Sequence, residues 1–182
     1  MNNEEPTLEE RLRDPQTRRE AFAELLKRFS EPLYWQIRRM VNNHDDADDL
    51  LQNTFMKAWT AMDDFRGDAK LSTWLHKIAL NEALSHLDKQ KRHATESLDN
   101  TEHSAINTIE ADEWFDGDEA AAHFRDAIAT LPTKQQLVFN MKYFDEMKYE
   151  DIAEITGTSV GALKATYHFA VKKIEQFLRS RN

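Results

Sequence analysis

From His93 to Phe124 the chain carries no Lys or Arg, while nine acids occupy the same stretch: Glu96, Asp99, Glu102, Glu110, Asp112, Glu113, Asp116, Asp118 and Glu119. A segment so charged, with weak apolar periodicity, buries too little surface to offset the entropy of ordering it. It reads as an acidic linker over 93–118 and limits a chain of 182 residues to two small units, one on each side. The formal net charge is −9, from 24 basic and 33 acidic residues. Nine of those acids sit in this one stretch, so the rest of the chain is balanced and either flank can be locally basic. Local field, not net charge, decides whether a surface attracts phosphate.

Both flanks space their apolar residues by three and four and lack the period-two alternation of strands, which predicts an all-α chain. Residues 1–16, closed by Pro15, are polar and read as a tail. Over 17–92, Thr17-Arg18-Arg19-Glu20 has the form of a capping box, followed by Phe22, Leu25, Leu26 and Phe29. Pro32 is expected to open a second helix with Leu33, Ile37, Met40 and Val41 on one face. A third starts near Asp45 with Leu51, Phe55, Trp59 and Met62 as its stripe. After a loop from Asp63 to Lys70, a fourth runs from Leu71 to about Lys91 with Trp74, Ile78 and Leu87 facing inward.

Over 119–182, Phe124, Ala127, Ile128 and Leu131 mark a helix that Pro132 ends. Thr133-Lys134-Gln135-Gln136 repeats the capping-box pattern before Leu137, Val138, Met141 and Phe144. Helices from Tyr149 to Thr156 and from Ser159 to about Leu178 close the chain. No apolar run is long enough to cross a membrane, and the acidic start Met1-Asn2-Asn3-Glu4-Glu5 lacks the apolar stretch of a secretory signal. With no cysteine for disulfides or thiolate metal sites, the chain is expected in the cytoplasm.

The last two helices have the pattern of a helix-turn-helix. Ala153 is small enough for a close crossing, Gly157 supplies a positive φ at the end of the first helix, and Ser159 caps the second. Val160, Leu163, Tyr167, Ala170 or Val171, and Ile174 make the buried stripe. Gly161, Ala162, Lys164, Ala165 and His168 then face outward on the half that enters a major groove in such motifs. Five basic residues from Ser159 onward (Lys164, Lys172, Lys173, Arg179, Arg181) stand against one acid, Glu175. An ordinary helical hairpin with a solvated basic face has the same pattern.

The run from Asp45 to Trp59 is acidic at its helix start, which suits the positive end of the macrodipole and by itself needs no further role. An EF-hand register is excluded, because neither Asp45 nor Asp46 is followed by Gly at the sixth position and Glu at the twelfth. No Gly-rich phosphate loop or catalytic triad pattern appears, and no metal, cofactor or catalytic residue is expected.

Three segments resemble the extracytoplasmic-function sigma factors of the sigma-70 superfamily. Asp45-Asp46-Ala47-Asp48-Asp49-Leu50-Leu51-Gln52-Asn53-Thr54-Phe55-Met56-Lys57-Ala58-Trp59 is similar to their polymerase-binding helix. Asp63 through Asn81, including Phe65-Arg66-Gly67 and Leu71-Ser72-Thr73-Trp74, is similar to their promoter-melting segment. Leu131-Pro132, Tyr149-Glu150-Asp151-Ile152-Ala153 and Val160-Gly161-Ala162-Leu163-Lys164 match their second domain. The likeness spans about Arg18 to Leu178 in one order and spacing.

The resemblance implies a region 2 helical bundle over 17–92, the linker over 93–118 and a region 4 helix-turn-helix over 119–182. It implies a non-enzymatic initiation factor that binds core RNA polymerase and promoter DNA and directs a stress or signal-responsive gene set. An anti-sigma partner is implied as well. Polymerase binding falls to Asp49, Gln52, Asn53 and Met56, with Asn53 standing where many members have Glu. The minus-ten single strand falls to Phe65, Arg66, Lys70, Trp74, Lys77 and Asn81, with Phe65 and Asn81 lining a pocket for one flipped base; Lys89, Lys91 and Arg92 add phosphate contacts. Trp74 serves equally well as core. The minus-thirty-five duplex falls to Lys164, Ala165, His168 and Lys172, although Phe169-Ala170-Val171 replaces a run rich in Arg. The acidic linker either occupies a basic polymerase channel or is a solvated spacer. Two rivals remain: a repressor or activator that binds duplex DNA without polymerase, which leaves the Phe65 loop and the Asp49 helix unexplained, and a metal-dependent hydrolase, which lacks paired ligand helices.

Overall fold

The computed structural model describes residues 6–41, 43–65, 67–97 and 119–180. They form eight α-helices and one 3₁₀ turn, with no strand among the described residues, and no helix among them is long and apolar enough to cross a membrane. The chain divides into two compact units, Met1–Ser104 and Ala105–Asn182. Residues 98–118 of the acidic stretch lie outside the described residues.

The first unit holds α1 (Leu8–Arg13), α2 (Arg18–Arg38), α3 (His44–Thr60), the 3₁₀ turn Met62–Asp64 and α4 (Leu71–Ser97). The segment expected to be a tail thus contains a helix. Thr7 and Glu10 form its capping box: Glu10 N donates to Thr7 Oγ1 at 3.3 Å and Thr7 N to Glu10 Oε2 at 2.8 Å. Such a cap contributes about 1 kcal/mol, which alone cannot hold a helix of six residues; full burial of Leu12 in the unit's core docks it. The capping box expected at Thr17 does not form. Thr17 has helical backbone angles, φ −104° and ψ −12°, and its hydroxyl donates instead to Arg11 O at 2.8 Å.

Pro32 lies inside α2 and does not open a new helix. A proline within a helix costs about 3 kcal/mol, but the apolar stripe Phe22, Leu25, Phe29, Leu33 and Ile37 stays in phase across it. Leu25, Leu33 and Ile37 are fully buried, and each such side chain contributes about 2 kcal/mol when taken out of water. Packing on both halves therefore outweighs the missing amide.

On α3 the face turned to the core is Ala47, Leu50, Thr54, Phe55 and Ala58. The small residues Ala47, Thr54 and Ala58, all fully buried, allow close packing on α2 and α4. Trp59, expected in the stripe, is 44 % exposed, and Met62 is buried from the 3₁₀ turn. Asn43 caps the helix by accepting from Asp45 N at 2.9 Å. Helix α4 buries Leu71, Leu75, Ala79, Leu80 and Ala83, while Trp74, Ile78 and Leu87 are half-buried at the edge of the core. It runs six residues beyond Lys91, since Arg92 to Ser97 contains neither Gly nor Pro.

The second unit holds α5 (Glu119–Ala129), α6 (Thr133–Tyr143), α7 (Tyr149–Thr156) and α8 (Val160–Ser180). Helix α8 packs on the other three, and Ala127, Ile128, Leu131, Phe139, Ala170 and Ile174 form the core. Aromatic rings fill its margin: Phe139 stacks on Tyr143 at 5.1 Å and on Tyr167 at 5.7 Å between centroids. The capping box expected at Thr133 does not form, because Pro132 itself takes the N-cap position and makes no side-chain cap.

Candidate functional site

Asp49, Gln52, Asn53 and Met56 follow one another on α3 by three, one and three residues, the repeat of a single helix face. All four are exposed, Met56 by 61 %. Beside them lies an open apolar groove of about 440 Å³, lined by Phe22 and Leu26 of α2 and by Gln52, Phe55, Met56 and Trp59 of α3. The Trp59 ring stands edge-on to Phe22, 4.9 Å between centroids. A carboxylate, two amides and an apolar floor suit a partner helix of mixed polarity, with Met56 and Trp59 as the groups that lose most water on contact. Trp59 was absent from the expected set. Its place seven residues after Gln52 and three after Met56 put it on this face.

The second cluster surrounds the turn between α3 and α4. Lys70, Trp74, Lys77 and Asn81 succeed one another by four, three and four residues and share one face. Lys70, Lys77 and Asn81 are exposed and Trp74 is half-buried; Lys89, Lys91 and Arg92 are exposed farther along the same helix. Cations flanking an aromatic surface match the needs of an unpaired strand, whose phosphates seek charge and whose bases seek a stacking partner. Arg66 lies outside the described residues.

Phe65 differs from its expected place in an open loop. Only 5 % exposed, it lies under Trp74 with the centroids 5.0 Å apart and the planes at 42°, and the Arg13 guanidinium carbon sits 5.8 Å from its centroid. The loop is folded down by α1, so Trp74 offers the accessible ring and Phe65 supports it from below.

Under the same helix, His76 is 8 % exposed and its Nδ1 is 2.7 Å from Gln36 Oε1 of α2. A carbonyl oxygen only accepts, so Nδ1 carries the hydrogen. Burial, aided by the charge of Arg39, lowers the imidazole pKa from 6.5 to about 4. His76 is therefore neutral at pH 7 and braces α4 against α2.

The third cluster is the helix-turn-helix. Gly157 closes α7 with φ 67°, and its amide donates to Ala153 O at 2.8 Å. Ser159 Oγ accepts from Ala162 N at 3.3 Å. Along α8, Leu163, Ala170 and Ile174 are buried, while Gly161, Ala162, Lys164, Ala165, His168 and Lys172 are exposed. Lys164 Nζ lies 5.7 Å from the Tyr149 ring, whose other neighbour is Lys142 Nζ at 5.1 Å. Desolvation and the Tyr167 phenol raise the Tyr149 pKa above 10, so the ring stays neutral between the two ammonium groups. Phe169, 56 % exposed, extends the outward face with an apolar group.

The family model for Sigma-70 region 2 matches residues 25–93, and that for Sigma-70 region 4 matches residues 122–174. The RNA polymerase sigma-H factor of Pseudomonas aeruginosa is 30% identical over 167 residues, covering 87% of this chain and 86% of the relative. The ECF RNA polymerase sigma factor SigW of Bacillus subtilis is 27% identical, covering 88% and 90%. Among solved structures, the sigma factor RpoE of Bartonella quintana in complex with the anti-sigma factor NepR superposes with a TM-score of 0.71 at 27% identity, over 87% of this chain and 96% of that one. CnrH in complex with the cytosolic domain of CnrY superposes with a TM-score of 0.67 at 25% identity, over 90% and 91%.

Proposed function

This chain belongs to the extracytoplasmic-function group of the sigma-70 family of RNA polymerase sigma factors, and from that premise we propose that it binds core polymerase through the exposed face of α3 and opens promoter DNA beside Trp74. As a sigma factor it acts in transcription initiation and binds DNA. On our reading it does so without catalysis of its own, and it serves a stress or signal-responsive gene set.

The observation that carries the reading is the separation of surfaces on one small bundle. Asp49, Gln52, Asn53 and Met56 occupy one helix, and Trp74, Lys77 and Asn81 the next, with Lys70 just before its first residue, each set on a single face. A core built only for stability has no use for an exposed methionine and tryptophan around an apolar groove. The cationic set beside Trp74 suits the unpaired minus-ten strand. Lys164, His168 and Lys172 lie along one side of α8 at steps of four residues, which suits duplex contacts at the minus-thirty-five element. Lys164 and His168 reach base edges or phosphates, Ala165 packs on a thymine methyl, and Lys172 holds a phosphate.

An anti-sigma factor belongs to the same proposal, since RpoE and CnrH were each solved with a partner protein, NepR and the cytosolic domain of CnrY. Run-off transcription with core enzyme over a promoter library tests the reading directly. Transcripts that depend on the added chain are expected, with a common sequence upstream of their starts. Failure of the purified chain to associate with core enzyme of its own host would end the proposal.

A further inference from the structure

Between α3 and α4 the sequence sets three carboxylates, Asp63, Asp64 and Asp68, against two cations, Arg66 and Lys70. A loop with that balance, taken alone, repels a phosphate backbone. Helix α1 sets one further cation, Arg13, against this loop. Leu12 anchors the helix in the core, and Arg18 grips its C-terminal end: Nε donates to Leu12 O at 2.9 Å and Nη2 to Arg13 O at 3.3 Å. The same Nη2 reaches Asp63 Oδ1 at 2.6 Å, which ties the end of α1 to the start of the loop.

Arg13 is thereby set against the loop on two sides. Its guanidinium carbon is 5.8 Å from the Phe65 centroid. It also abuts Gly67 so closely that a Cβ at that position would lie 2.1 Å from Arg13 Nη2. The φ of 78° at Gly67 favours glycine as well. Arg13 remains exposed.

We propose that α1 is part of the strand-opening site and that Arg13 binds a backbone phosphate of the unpaired DNA strand next to the Phe65–Trp74 pair. This rests on the reading of that loop as the promoter-opening segment. A guanidinium seated on a ring and packed on a glycine has already given up much of its rotamer freedom, so little more is lost when a phosphate arrives. The stretch matched by the region 2 model begins at residue 25, so Arg13 lies outside it and adds to the residues named above.

The test uses the full chain assembled with core polymerase and a promoter recovered by the run-off screen. The probe is a fluorescent single-stranded oligonucleotide carrying the non-template minus-ten segment of that promoter, titrated across a range of KCl concentrations. Loss of one phosphate contact on a single strand lowers the slope of log K against log salt by about 0.7. Arg13→Ala is expected to lower the slope by that amount and to reduce run-off from duplex template about tenfold, while Arg13→Lys keeps the wild-type slope. An Arg13→Ala slope equal to wild type overturns the proposal whatever the run-off yield, because loss of a purely structural contact leaves the number of neutralised phosphates unchanged. A wild-type holoenzyme that does not retain the strand at all removes the underlying reading, and this inference with it.

Discussion

Acidification should loosen the first unit through His76. The imidazole is buried, its pKa lowered from 6.5 to about 4 by desolvation first and by Arg39 second. An unfolded chain titrates this ring near its ordinary value, so between those two pH values the unfolded state holds a proton that the native state refuses. The contribution to stability is complete above about pH 7, drains as pH falls, and is exhausted only below about pH 4, where both states are protonated. The full gap corresponds to about 3 kcal/mol, of which about 2 kcal/mol is lost between pH 7 and pH 5. A loss of this size is a large share of the stability of a small domain. Urea unfolding of the full chain, followed by tryptophan fluorescence at both pH values, measures it; Trp35, Trp59 and Trp74 report on this unit. Carboxylates titrate too, so the informative quantity is the difference from His76→Gln, which keeps a hydrogen-bonding group facing Gln36 and cannot ionise. The wild type should lose about 2 kcal/mol more than the variant on going from pH 7 to pH 5. Equal losses in the two proteins would refute the assignment of a buried, neutral imidazole.

Three further outcomes are expected. Met56→Ala, at a side chain 61 % exposed, should weaken association with core polymerase about tenfold and leave thermal unfolding unchanged; Asp49→Ala should act in the same direction, both read by competition for core enzyme. Lys164→Ala should lower the salt slope of duplex promoter binding by about 0.9, the value for one phosphate on double-stranded DNA, and an unchanged slope would show that Lys164 is not a phosphate ligand. Gly157→Ala should cost about 1 kcal/mol in chemical denaturation, since a Cβ there meets nothing within 4 Å and only the left-handed backbone resists it; Gly157→Asn should cost less.

The second unit was legible nearly to the residue because Pro132 and Gly157 punctuate it. Neither signal depends on distant contacts: one lacks an amide, the other tolerates φ 67°. The first unit was harder, for reasons that lie in tertiary packing. Pro32 carries the same local signal as Pro132, yet Leu33 and Ile37 find core on the same side as Leu25, so the helix continues. Thr7 and Thr17 both precede Glu by three residues, and only the backbone angles separate the real cap from the false one. The α3 face came from the family resemblance, whereas spacing alone turned Trp59 inward, and it is 44 % exposed. Burial of Phe65 was not legible, because it follows from the docking of α1, which a single leucine twelve residues into the chain secures.

Helix α8 divides its labour by position. Leu163, Ala170 and Ile174 hold the unit together, and the residues at 161, 162, 164, 165, 168 and 172 are exposed. If that face reads the duplex as proposed, replacements on it redirect which duplex is preferred while leaving the melting temperature almost where it was. On that proposal, drift in promoter choice and drift in foldedness are uncoupled along one rod, so a lineage that duplicates such a gene can search new target sites without first losing the domain that presents the search.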